Sequence, residues 1–199
     1  MSVSHERTGQ VSGTRAASPA PRVDARRNRE QILSTARRLL LEPGPLRLNA
    51  VAKASGVGQG TLYRHFPTRE DLLAAVYRRD VDDLVAAAPE LLARHPPPEA
   101  LSAWFARVVA YARVKRDVFS ALEAGTWREL ADHSLGPIGD AVEMILAAGR
   151  TDASLRADVE ARDVIVLISW LTRLDDDELD TRGPLLLSVL VDGLRLTHS

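Results

Sequence analysis

Apolar residues in this chain recur at intervals of three and four rather than two, which predicts helices and no strand. From about Ala25 to Glu42 the stripe is Ile32, Leu33, Ala36, Leu39 and Leu40, with Arg26, Arg27, Arg29, Arg37 and Arg38 off it. Pro43-Gly44-Pro45 stops that helix. A short helix then starts near Asn49; Val51, Ala52 and Ser55 share its inner face, and Gly56 supplies a left-handed ending. A second spans about Gln59 to His65, sending Leu62 and Phe66 inward and leaving Gln59, Thr61, Tyr63 and His65 outside. Two such helices joined by a tight Gly-containing turn form a helix-turn-helix, whose second helix fits a DNA major groove.

Thr68 is the expected N-cap of the next helix, with Glu70 and Asp71 in its first turn and Asp71 placed for a near-capping box. Leu72, Leu73, Val76, Val81, Leu84 and Val85 carry it forward, and Pro89 is expected to kink or restart it. After the break at Pro96-Pro97-Pro98 the pattern predicts a helix through Val114, then a short one over Asp117–Ala124 ended by Gly125. Further helices are expected over Leu135–Ala148, Ala161–Leu174 and Arg182–Thr197, the last two separated by Asp175–Glu178. That makes about nine helices. Residues 1–24, rich in Ser, Thr, Gly, Ala and Pro, read as a disordered basic tail, either an arm for DNA or an unstructured leader.

Charge divides the chain. Arg22 to Arg69 holds ten basic and three acidic residues, net +7, whereas Glu70 onward holds fourteen basic and twenty-three acidic, net −9. Only the head is suited to a polyanion. The chain has no cysteine, no uncharged apolar run long enough to span a membrane and no apolar run after its first charges, which fits a cytoplasmic protein. No Ser/His/Asp spacing, phosphate loop or His-x-x-x-His pair is present, so neither enzyme activity, a metal nor a cofactor is expected. His133 and the Asp175–Glu178 run read as loop chemistry.

The run Gly56-Val-Gly-Gln-Gly-Thr-Leu-Tyr-Arg-His-Phe66, followed by Arg69-Glu-Asp-Leu-Leu73, resembles the signature of the TetR family of bacterial transcriptional regulators. The resemblance is specific over residues 26 to 76 and rests on helix count and order beyond. It implies an all-α protein: a three-helix helix-turn-helix DNA-binding domain over residues 25–70, and a helical effector-binding and dimerisation domain over residues 71–199. It also implies a homodimeric repressor on a palindromic double-stranded operator, released by a small molecule. The alternative is a constitutive or activating regulator with no effector.

Carried over position by position, Gln59, Gly60 and Thr61 are the expected base-edge readers: a Gln amide pairs with adenine and a Thr methyl packs on thymine. Tyr63, His65 and Arg69 match phosphate-contacting positions, Arg64 reaches phosphate or guanine, and Asn49 either base or phosphate. Where the family commonly has Thr this chain has Arg47 and Leu48; Arg47 adds a phosphate partner, and Asn49 caps the helix if it starts one residue later.

In the body, the two closing helices carry apolar faces for a partner, with Val164, Ile168 and Leu171 on one and Leu186, Val189, Leu190, Gly193 and Leu194 on the other. The bulky residues of the middle helices, Trp104, Phe105, Val108, Tyr111, Phe119, Leu122, Trp127, Met144 and Trp170, mark the expected pocket. Their chemistry suits an apolar or aromatic effector.

Overall fold

The computed structural model describes residues 21–42, 44–122 and 124–196, apart from the side chains of residues 21–22, 117, 124–127 and 133. The expected tail up to residue 20 and the side chains of Trp127 and His133 lie outside the described residues. Among those described there are nine α-helices and no strand, as the periodicity predicts.

Three helices build the head. α1 (Pro21–Leu40) begins earlier than expected, at Pro21 itself, where a missing N–H costs nothing. α2 (Leu48–Ser55) ends on Gly56 at φ 68, the left-handed ending its sequence announced. Its N-cap is Arg47, which makes no side-chain cap bond, and Asn49 lies inside the helix rather than capping it. α3 (Gln59–His65) follows a three-residue turn. Ile32, Ala36, Leu46, Val51, Leu62 and Phe66 fill the space between the three helices.

α4 (Arg69–Leu92) leaves the head and crosses the body. Thr68 and Asp71 close the anticipated capping box. The helix runs through Pro89 without restarting and ends one turn later at Leu92. α5 (Pro97–Ala121) and α6 (Ala124–Thr151) are each longer than the sequence suggests: the former absorbs Asp117, the latter Gly125 and Pro137. Both pack along α4 and bury Trp104, Phe105, Leu130, Ile145 and Leu146 there. That burial outweighs the weak local propensity at those positions.

The end of α6 comes so near the following turn that a Cβ on Gly149 would sit 2.4 Å from Leu155. Leu155 then pairs with Arg195 in an isolated antiparallel bridge. α7 (Ala161–Ile168) tightens into a 3-10 turn over Ser169–Arg173. The acidic run is itself a short helix, α8 (Asp176–Thr181), capped by Asp175 through the Glu178 N–H. Negative charge is favourable at a helix start, so the run stabilises a helix where the sequence reading placed a spacer. α9 (Gly183–Leu194) closes the fold against α5.

Candidate nucleic-acid interface

α3 projects from the head because Leu62 and Phe66, at i and i+4, are buried at 0% and 2% exposure. Gln59, Gly60, Tyr63 and Arg64 are exposed on its other side, with Thr61 and His65 half-buried beside them. Nothing lies within 4 Å of where a Cβ on Gly60 would sit, so the backbone there is open to close approach. Asn49 belongs to this same surface: its Oδ1 accepts from Gln59 Nε2 and from the Tyr63 hydroxyl, each at 3.5 Å. Arg64 bends back, donating from Nε to the Gly60 carbonyl at 3.0 Å. Arg47 is exposed at the start of α2, on the approach to this face.

Arg69 is placed differently. Its Nε donates to the Leu46 carbonyl at 2.9 Å, and it lines a groove between head and body with Arg113, Asp176 and Asp180. It therefore clamps the connection between α1 and α2, off the α3 surface. Two residues of α1 brace the motif. Gln31 Nε2 donates to the Ser55 carbonyl at 2.8 Å, and the Arg29 guanidinium lies 4.7 Å from the centre of the Phe66 ring.

Among the described residues, those expected around an effector are spread over more than one groove, with Tyr111 on one and Phe105 on another. Trp104, Phe105, Val108 and Tyr111 are buried, and the Trp104 indole donates to the Leu84 carbonyl at 3.0 Å. Phe119 and Leu122 are half-buried, and Met144 is 46% exposed. Trp170 lines a separate apolar groove with Leu186, Val189, Leu190 and Gly193.

What the interior does hold is a polar chain absent from the sequence reading. The Tyr77 hydroxyl hydrogen-bonds both the Tyr111 hydroxyl (2.9 Å) and Ser134 Oγ (2.8 Å), linking α4, α5 and α6. Burial, reinforced by Tyr77, raises the Tyr111 hydroxyl above its ordinary value. Burial also lowers Lys115, whose amine stands over the Tyr111 and Phe119 rings at 5.8 and 5.5 Å. One turn beyond Tyr77, Asp80 accepts from Arg37 Nε at 2.6 Å across the contact between α1 and α4.

The expected partner face splits in two. Val164, Ile168, Leu171 and Leu194 turn into the chain's own core, because α7 packs on α6 and the 3-10 turn and α9 pack on α5. Leu186, Val189 and Gly193 are exposed and Leu190 half-exposed, and Leu167 lines the same groove; Val166 and Leu185 are exposed as well. Such a patch of large apolar side chains is unusual on a surface that meets only water. Among the described residues no cluster could hold a metal ion, and no helix is long and apolar enough to cross a membrane.

Two family profiles match. Residues 32–76 match the one described as bacterial regulatory proteins of the tetR family, and residues 96–196 match the SbtR-like transcriptional regulator C-terminal domain. A TetR transcriptional regulator from Streptomyces coelicolor superposes with a TM-score of 0.70 at 35% identity, covering 85% of this chain and 99% of that one. A TetR regulatory protein from Mycobacterium vanbaalenii gives 0.71 at 30% identity, covering 88% and 99%. An HTH-type transcriptional regulator of Staphylococcus aureus strain USA300 is 44% identical over 63 residues, 31% of this chain and 34% of the relative. The chain thus spans about a third of the length of the curated relatives it matches.

Proposed function

This chain belongs to the TetR family of bacterial regulatory proteins, a helix-turn-helix transcriptional regulator and not an enzyme, and on that premise we propose that it is a homodimeric repressor of a palindromic operator. The observation that carries this reading is the exposed side of α3, set in a head with net charge +7 on an acidic body. Gln59 and Thr61 read base edges, Gly60 admits the backbone, and Tyr63, Arg64, His65, Arg47 and Asn49 hold phosphates or neighbouring bases. Arg69 adds charge from the rim while fixing the connection between α1 and α2. The head extends to about residue 70, and the body from there onward carries dimerisation.

The partner covers the open apolar side of α7 and α9. Two copies related by a two-fold axis then present their α3 helices to successive major grooves, about 34–36 Å apart. A small, largely apolar or aromatic effector among α4, α5 and α6 repacks the body and shifts that spacing. A second reading, regulation without an effector, gains weight because Trp170, Tyr111 and Phe105 line three separate grooves.

Selection of bound fragments from a random DNA pool tests the operator. A palindrome with half-sites one helical turn apart is expected. Equal recovery of all sequences would remove the reading.

A further inference from the structure

We propose that Asn49 is a positioning residue that decides which base α3 reads: its side-chain carbonyl takes one amide proton of Gln59 and leaves that amide matched to adenine. The proposal rests on the DNA-binding reading above and deepens it, because it gives Asn49 a partner inside the protein before any DNA arrives.

Asn49 stands exposed in the first turn of α2, and Gln59 opens α3 on the far side of the Gly56 turn. The Asn49 Oδ1 is the meeting point of two donors from α3, Gln59 Nε2 and the Tyr63 hydroxyl, each at 3.5 Å. Those donors are four residues apart and so share one face of the helix. Two donors on one atom also decide how the Asn49 amide lies. Turned over, it would set its own N–H groups against them. As it lies, the carbonyl points to α3 and the Nδ2 protons are left for a phosphate.

The consequence is a count of protons. A Gln amide carries two N–H donors and one carbonyl acceptor. In the major groove adenine presents one acceptor and one donor, whereas guanine presents two acceptors. An unattached Gln amide serves either base, with one donor and the carbonyl for adenine or both donors for guanine. With one proton on Asn49, a single donor and the carbonyl remain. That set fits adenine and not guanine.

The two contacts are long in the free protein, where water competes for all three groups. DNA seated on α3 excludes that water, and a hydrogen bond in a drier place is stronger. Asn49 also restricts the Gln59 side chain beforehand, which lowers the entropy lost when the base is bound.

A double-mutant cycle tests this. Wild type, Asn49→Ala, Gln59→Ala and the double variant are titrated with the selected operator and with operators in which single A·T pairs are changed to G·C. Gln59→Ala locates the pair that Gln59 reads. At that pair Asn49→Ala should reduce the preference for adenine over guanine roughly fivefold, within the range one bidentate contact supplies. It should change nothing more once Gln59 is already Ala. An equal loss in both backgrounds, or a loss at a different pair, overturns the proposal, since Asn49 would then read DNA for itself. Selection of guanine at the pair read by Gln59 overturns it too.

Asn49→Asp keeps the acceptor and removes the donor. It should hold the adenine preference while binding every sequence more weakly, because a negative charge now meets the phosphates. Loss of the preference in Asn49→Asp overturns the proposal. If the wild type selects no DNA at all, the operator reading falls, and nitrogen relaxation of the Gln59 side-chain amide in the free protein still decides the contact. That amide should move faster in Asn49→Ala than in the wild type, and equal mobility in the two overturns the proposal.

Discussion

The amide of Gln31 on α1 reaches across to the carbonyl of Ser55, the last residue of α2, at 2.8 Å. It satisfies a helix-end carbonyl at the point where Gly56 turns the chain toward α3. Gln31→Ala should therefore cost about 1 kcal/mol of stability and weaken binding to operator and random DNA together. Denaturant titration with gel-shift checks both, and an unchanged midpoint would show that the bond contributes nothing.

Gln59 lies at the first position of α3, exposed and beside Asn49. Gln59→Ala should leave affinity for random DNA nearly intact while removing about 1–3 kcal/mol of discrimination at one base pair per half-site. Competition binding with single-base operator variants measures this. A uniform loss across all variants would make Gln59 a backbone contact.

Val189 and Leu187 sit two residues apart on α9 with opposite fates, 60% and 4% exposed. Val189→Asp should leave the monomer folded and weaken dimerisation by about 2 kcal/mol or more, as for a central interface residue. Leu187→Asp should instead unfold the body, because it buries a charge without a partner. Sedimentation together with circular dichroism distinguishes the two. A dimer that survives Val189→Asp would move the interface elsewhere.

The folded-state carboxyl of Asp80 lies above its unfolded value, chiefly through burial. Its titration therefore adds stability that is fully present below the unfolded value and is lost as pH rises through the folded one. Relative to Asp80→Asn, the wild type should gain stability on acidification. Urea titrations of both proteins across pH test the sign, and a constant difference would mean that burial does not shift the Asp80 carboxyl from its unfolded value.

Gly149→Ala should destabilise by about 1–3 kcal/mol, the usual penalty for overfilling a packed site. The added methyl would lie 2.4 Å from the fully buried Leu155 side chain. Thermal denaturation measures the shift. A neutral result would mean that the turn after α6 yields easily.

The head was legible in the sequence almost residue by residue, because its signals are local: Gly56 for a left-handed cap, Leu62 and Phe66 for an inner face, Thr68 and Asp71 for a reciprocal cap. The body was not, for three physical reasons. Helices α5 and α6 run through residues of poor propensity because α4 offers a surface to bury against. The apolar residues of α7 and α9 occupy more than one side, so composition could not say which half, such as Val164 or Val189, meets a partner. Asp80 falls on the stripe of Leu73, Val76, Leu84 and Leu91, and that acid among apolar positions was the visible signal of a buried pair. Its partner, forty-three residues away, was not visible.

α4 is one uninterrupted helix of 24 residues whose first turn carries the head and whose remaining turns lie in the body. At 1.5 Å per residue it is about 36 Å long. By lever arithmetic, a tilt of about 5° at the far end carries the head through about 3 Å, close to the spacing of one base pair along DNA. In the dimer proposed above, an adjustment smaller than a side-chain rotation, made deep in the body, would thus be enough to put the two heads one step out of register with their half-sites.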